Sequence, residues 1–139
     1  MTTFEFAQHN YMLIGLAAVS GGMLVWTSIS GRISGIPHVS PAEATRLLNE
    51  DALILDVRED KEWAAGHIPR SKHIPLSQLK ARAGELEKYK GHPIVINCQS
   101  GSRSAHGCRV LKKLGFQKLH NLAGGMSAWQ QANLPVTRK

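Results

Sequence analysis

Two cysteines, Cys98 and Cys108, are too few to staple a chain of 139 residues, and they do not form a Cys-x-x-Cys pair. A disulfide framework and a zinc-finger pattern are both excluded, and a reducing compartment with at least one free thiol fits. The seven histidines show no metal-ligand spacing, so neither a metal nor a cofactor is implied. Internal repeats and low-complexity tracts are absent. No lysine or arginine precedes Arg32, which leaves out the basic start of a cleaved signal peptide. The formal charge is +7, yet the positive residues are scattered among carboxylates and do not alternate with aromatics. That pattern speaks against nucleic acid and for anionic small molecules or an anionic membrane surface.

What is present begins with a run of 20 residues, Tyr11 to Ser30, that carries no charge. As a helix it reaches about 30 Å, one hydrocarbon thickness. Tyr11 and Trp26 sit near its ends, where amphipathic rings favour the interface. All 17 lysines and arginines follow this run, so the positive-inside tendency places the rest of the chain in the cytoplasm. The expectation is a single-pass protein of a bacterial-type inner membrane, N-terminus outside. Residues 1–10 then form a short tail, 11–30 the transmembrane helix, 31–36 a glycine-rich linker and 37–139 one domain. The small residues Ala18, Ser20, Gly21 and Gly22 would let two such helices approach closely.

Within the domain, Ser40-Pro41-Ala42-Glu43 has the form of a capping box with proline at the first helical position, predicting a helix to about Asn49. Leu53 to Val57 and Pro93 to Asn97 read as strands buried on both faces. His73 to Pro75 and Phe116 to Leu122 are further strand candidates. Leu79 to Lys88, Ser104 to Leu114 and Met126 to Asn133 carry helical spacing. Strands alternating with helices predict an α/β domain with a mainly parallel sheet.

The chemistry centres on Cys98-Gln99-Ser100-Gly101-Ser102-Arg103. A cysteine at the end of a buried strand, followed by small polar residues and an arginine entering a helix, is the layout of an anion cradle. Backbone N–H groups and the helix dipole there favour negative charge and lower a thiol's pKa. Ligands of such sheets bind beyond the carboxyl ends of the strands, where Asp56 and Arg58 also fall.

In order along the chain stand Leu55-Asp56-Val57-Arg58-Glu59, Glu62-Trp63, Gly66-His67-Ile68-Pro69, the cysteine loop continuing to Ser104, Leu114-Gly115-Phe116, and Leu122-Ala123-Gly124-Gly125 with Trp129. This series resembles a single rhodanese domain, and it covers about Pro37 to Val136. Arg70-Ser71 departs from the glycine-alanine step common in that family, a surface difference. The resemblance implies a central, mainly parallel five-stranded sheet flanked by helices. It also implies a sulfurtransferase of the thiosulfate:cyanide class, with Cys98 as the nucleophile that becomes a persulfide. Thiosulfate or another sulfur donor and a thiophilic acceptor, cyanide or a cellular thiol, would be the partners. Arg103 would be catalytic with Cys98, stabilising the thiolate, the persulfide and the anionic donor, and the loop residues Gln99, Ser100, Gly101, Ser102 and Ser104 would bind the donor, with Gly101 allowing close backbone approach.

Four residues separate Cys98 from Arg103. Cysteine phosphatases and arsenate-reducing relatives of the fold use a loop one residue longer, so the count favours sulfur over phosphorus. A non-enzymatic sulfur-carrier or interaction module for membrane-protein partners is the alternative from another class. Asp56 and Arg58 either join the rim of the site or form a structural pair. Cys108 reads as core, with a resolving thiol the minor alternative. His67 reads as a hydrogen-bonded turn residue, and Trp63 and Trp129 as core anchors.

Overall fold

Residues 2–33 and 35–139 are described in the computed structural model, the side chains of 27–33 excepted. They fall into two units, Met1–Gly35 and Ile36–Lys139. In the first, α1 (Thr3–His9) is closed by a capping box: the Glu5 N–H donates to the Thr2 hydroxyl and Glu5 accepts from the Thr2 N–H. The sequence reading had residues 1–10 as a tail, because α1 is short and polar around its two phenylalanines. The second helix, α2, is Tyr11–Ile33 and continues past Ser30 into the stretch read as a linker.

Among the described residues no helix is long and apolar enough to cross a membrane. The described side chains of α2 end at Trp26. The last four residues of the expected span, 27–30, lie outside the described side chains.

The second unit opens with β1 (His38–Val39), where the sequence reading ended its linker. Ser40 then caps α3 (Pro41–Asn49): its hydroxyl accepts from the Glu43 N–H at 3.1 Å, and proline occupies the first turn. Next come β2 (Leu53–Asp56), α4 (Asp60–Ala65), β3 (Lys72–His73), α5 (Leu76–Arg82) and a 3-10 stretch at Ala83–Tyr89. The chain closes with β4 (Ile94–Asn97), α6 (Ser102–Lys113), β5 (Leu119–Leu122) and α7 (Gly125–Gln131). Every residue of β2 and β4 is buried, which is why both read as continuous apolar runs. The α4 segment escaped the sequence reading because its six residues show no apolar periodicity.

All four strand pairings are parallel, in the order β1-β5-β4-β2-β3. Alternate strand residues face two cores. Leu55, Ile94 and Ile96 pack with Leu79, Leu86 and Leu111 on one side. Ile54, Val95 and Leu122 pack with Ala44, Met126 and Trp129 on the other. Because every strand runs the same way, all carboxyl ends lie at one edge, and the residue after the central β4 is Cys98.

Candidate active site

Cys98 follows Asn97 directly and is fully buried. The chain then reverses through Gly101, whose φ of 106° is a left-handed value that glycine adopts without strain, and enters α6 at Ser102. The turn points backbone N–H groups back at the sulfur. That of Gly101 donates to Cys98 Sγ at 3.0 Å, and the Ser104 hydroxyl lies 3.3 Å away. Burial pushes the Cys98 thiol up. Hydrogen bonds from the Ser104 hydroxyl and from the backbone of Ser104, Gly101 and Ser100 outweigh it, and the thiol sits below the ordinary cysteine value.

Ser104 is itself held. Its Oγ is 2.5 Å from Asn121 Oδ1 and 3.1 Å from the Gly101 carbonyl. Asn121, buried on β5, donates through Nδ2 to the same Gly101 carbonyl at 3.1 Å and lies 3.3 Å from His38 Nδ1 on β1. Three strands and a helix thus converge on one sulfur. On the other side, α7 grips the loop by its backbone. The Met126 N–H donates to the Cys98 carbonyl at 2.8 Å and the Ser127 N–H to the Gln99 carbonyl at 3.1 Å. A Cβ at Gly125 would collide with the Cys98 carbonyl oxygen and lie 2.8 Å from the Gln99 carbonyl carbon.

Arg103 is paired with a carboxylate and acts on Cys98 through its charge. Its guanidinium forms a two-pronged pair with Glu62 on α4, Nη1 to Oε1 at 2.6 Å and Nη2 to Oε2 at 2.9 Å. Glu62 also accepts from the Glu59 N–H at 3.1 Å. The Arg103 bond holds the Glu62 carboxyl at about 2, against the opposing effect of burial. Gln99 is half-buried and donates to the Ser127 hydroxyl at 3.3 Å, while Ser100 and Ser102 are exposed.

Asp56 and Arg58 are buried and bonded to each other at 2.8 Å. Arg58 also donates to the Gly66 carbonyl at 2.7 Å, so the pair fastens the loop after α4 instead of facing a substrate. Cys108 lies in the core, and burial raises its thiol to about 12. His67 is a turn residue, as its sequence context indicated, with each ring nitrogen 2.9 Å from a carbonyl oxygen, of Trp63 and of Lys139. Trp129 is a core anchor. Trp63 is not: it is half-buried, stacked between the rings of His67 at 3.5 Å and His73 at 4.8 Å. Those flat faces satisfy the indole without a core position.

Sequence reasoning missed Glu62 as a partner of Arg103, and missed Asn121 and His38 altogether. Glu62 was visible as part of the Glu-Trp pair, but nothing in a string of residues links it to an arginine 41 positions later. Among the described residues no group of three or more His, Cys, Asp or Glu is placed to hold a metal ion. The site can do one kind of chemistry with what it has. A thiolate in a ring of N–H donors can attack an electrophile and keep an added anionic atom in the same cradle.

Comparison with known proteins agrees with this geometry. Residues 40–132 match the model of the Rhodanese-like domain. The uncharacterized protein YibN of Escherichia coli is 34% identical over 133 residues, spanning 94% of this chain and 92% of that one. The thiosulfate sulfurtransferase GlpE of Pseudoalteromonas translucida is 35% identical over 96 residues, 68% of this chain and 90% of its own. A rhodanese-related protein from Thermoplasma volcanium superposes with a TM-score of 0.68 at 28% identity, covering 74% of this chain and 99% of that one. With the motif series, the parallel sheet and the cysteine cradle in agreement, the chain belongs to the family of rhodanese-like domains.

Proposed function

We propose that this protein moves sulfane sulfur from thiosulfate or a related donor to a thiophilic acceptor, through a persulfide on Cys98. The observation that carries the reading is the Gly101 N–H at 3.0 Å from Cys98 Sγ, with the Ser104 hydroxyl beside it. These donors hold the thiolate before reaction and the terminal sulfur after it. In the first half, Cys98 S⁻ attacks the outer sulfur of thiosulfate; the S–S bond of the donor breaks and sulfite leaves with the electron pair. In the second half, cyanide or a thiolate attacks the terminal sulfur of the persulfide, and Cys98 leaves as thiolate. Neither half needs a metal or a redox partner.

Mass spectrometry of the purified protein after exposure to thiosulfate tests this directly. The expected result is a gain of one sulfur atom, removed by cyanide or a reducing thiol and absent from Cys98→Ser. Unchanged mass in the unaltered protein would sink the reading.

We infer further that α2 tethers the domain to a membrane, with the catalytic unit in the cytoplasm. Three observations support it. Residues 11–30 carry no charge, and all 17 lysines and arginines follow them. Every described side chain from Tyr11 to Trp26 is exposed, among them Leu13, Leu16, Leu24 and Trp26, a concentration of apolar surface unusual for a monomer in water. The match to YibN spans 133 residues, more than the rhodanese unit alone contains. A label confined to the periplasm is expected to reach residues ahead of Tyr11 and spare the domain. Labelling of the domain, or a full-length chain that stays in the supernatant of lysed cells, would remove this part.

A further inference from the structure

The chain carries a formal charge of +7. The one cation of the loop, Arg103, is matched oxygen for nitrogen by Glu62, at 2.6 and 2.9 Å. Both side chains are about one-third exposed, so solvent and ions reach the pair. Glu59 at the N-cap of α4 is close enough to act on Arg103 through its charge, and the two residues that follow it, Asp60 and Lys61, are of opposite sign. The remaining loop side chains, Gln99, Ser100 and Ser102, are neutral. Arg58, the other arginine of this edge, is spent on Asp56 inside the protein. Within the loop itself, what is left to attract an anion is the set of backbone N–H groups around Sγ. That set suits one added sulfur atom and offers nothing to a second, distant negative charge.

Thiosulfate carries such a second charge. Its sulfonate end must lie outside the cradle when its outer sulfur meets Cys98, against Glu62 and Glu59. A persulfide of a small uncharged thiol presents the same outer sulfur without it. We propose that Glu62 is a specificity-determining residue that cancels Arg103 and turns the site toward low-charge organic persulfides and away from dianionic donors. This rests on the sulfurtransferase reading given above. The step balances without further reagents: Cys98 S⁻ bonds the terminal sulfur of R–S–SH, the donor S–S bond breaks, and R–S⁻ leaves with the electron pair while the proton stays on the transferred sulfur.

The test compares thiosulfate with the persulfide of 2-mercaptoethanol as donors to the full-length protein and to Glu62→Gln. Glutamine keeps an acceptor for the Glu59 N–H but has no second oxygen for the guanidinium. For the variant, kcat/KM with thiosulfate should rise roughly tenfold at low salt, chiefly through KM, and the gain should shrink as salt is added. The organic persulfide should change less than about twofold, since it offers no charge for Arg103 to attract. Equal changes for both donors, or none for thiosulfate, would overturn the proposal while leaving the sulfurtransferase reading intact.

The unaltered protein provides an independent measure, should the variant fold poorly. Its KM for thiosulfate should move less than about twofold from low to physiological salt, because Arg103 is already paired with Glu62. A steep rise would show an unpaired cation at work and defeat the proposal. Failure of either donor to load Cys98 in the unaltered protein would defeat the sulfurtransferase reading, and this one with it.

Discussion

The Ser104 hydroxyl and the Cys98 sulfur are hydrogen-bonded at 3.3 Å, and in that bond the donor changes with the charge on sulfur. Ser104 has one proton and three acceptors within reach: Cys98 Sγ, the Gly101 carbonyl and Asn121 Oδ1. When Cys98 is a thiol, S–H donates and the hydroxyl is free to bond Asn121. When it is a thiolate, the hydroxyl must turn to sulfur. The basicity of the Cys98 sulfur is therefore set partly from β5, through Asn121.

Ser104→Ala removes a hydrogen bond to a charged group, a loss of about 1.5–3 kcal/mol. Sulfur loading near neutral pH should slow roughly ten- to hundredfold. Asn121→Asp should act in the same direction, because a buried carboxylate keeps the Ser104 proton and adds a like charge near the thiolate. Thiolate absorbance followed against pH should show the Cys98 titration moved upward in both variants. An unmoved titration in Ser104→Ala would take the hydroxyl out of the account.

The two thiols should separate cleanly by pH. Alkylation of Cys98 should rise through a midpoint below the ordinary cysteine value, because its hydrogen bonds favour the thiolate. Cys108, raised to about 12 by burial, should stay unlabelled until the protein unfolds. The sign for stability follows. The depressed folded pKa of Cys98 adds stability above the unfolded thiol's pKa, and this is lost as pH falls through the folded value. The raised pKa of Cys108 does the reverse, costing stability as pH climbs from the unfolded value toward about 12. Mass mapping of the alkylated peptides across pH checks both; early labelling of Cys108 would contradict its burial.

Gly125→Ala should damage loop and fold together. The new methyl group would meet the Cys98 carbonyl oxygen and lie within 2.9 Å of the Gln99 carbonyl oxygen, and the φ of 55° disfavours a side chain. Overpacking of this kind costs about 1–3 kcal/mol. Denaturant unfolding should show that loss, and sulfur loading should fall more than the unfolded fraction explains. A variant with native stability and loading would mean that α7 does not fix the loop.

Arg58→Met should leave Asp56 as an unpaired buried charge, a cost of about 3–5 kcal/mol. The double variant Asp56→Leu with Arg58→Met should recover much of it, since no charge is then stranded. If the double variant is as unstable as the single, the pair's worth lies in the Gly66 carbonyl bond and not in its charges.

Much of the scaffold was legible before any coordinates. β2 and β4 are four-residue buried runs, so their apolar continuity shows directly. The Ser40 cap and the glycine after α6 mark helix ends by local backbone chemistry. The two-residue strands β1 and β3 and the six-residue α4 were missed or shifted because elements that short have no period to detect. The Trp63 stack was misread as core because its partners, His67 and His73, are polar residues whose flat faces do the packing.

The sequence by itself determined the place of Cys98 at a strand end, the length of its loop and the backbone N–H groups of the helix start beyond it, because a strand end, a short turn and a helix start are local features. Tertiary structure alone decided where the charge of Arg103 goes and who holds Ser104. Glu62 lies 41 residues before Arg103, and Asn121 lies 17 after Ser104. Only the parallel crossover of the sheet brings α4, β5 and the Cys98 loop to one edge. Electrostatic pairing depends on distance in space and not along the chain, so the pairing of Arg103 with Glu62 could not be read from the residues in order.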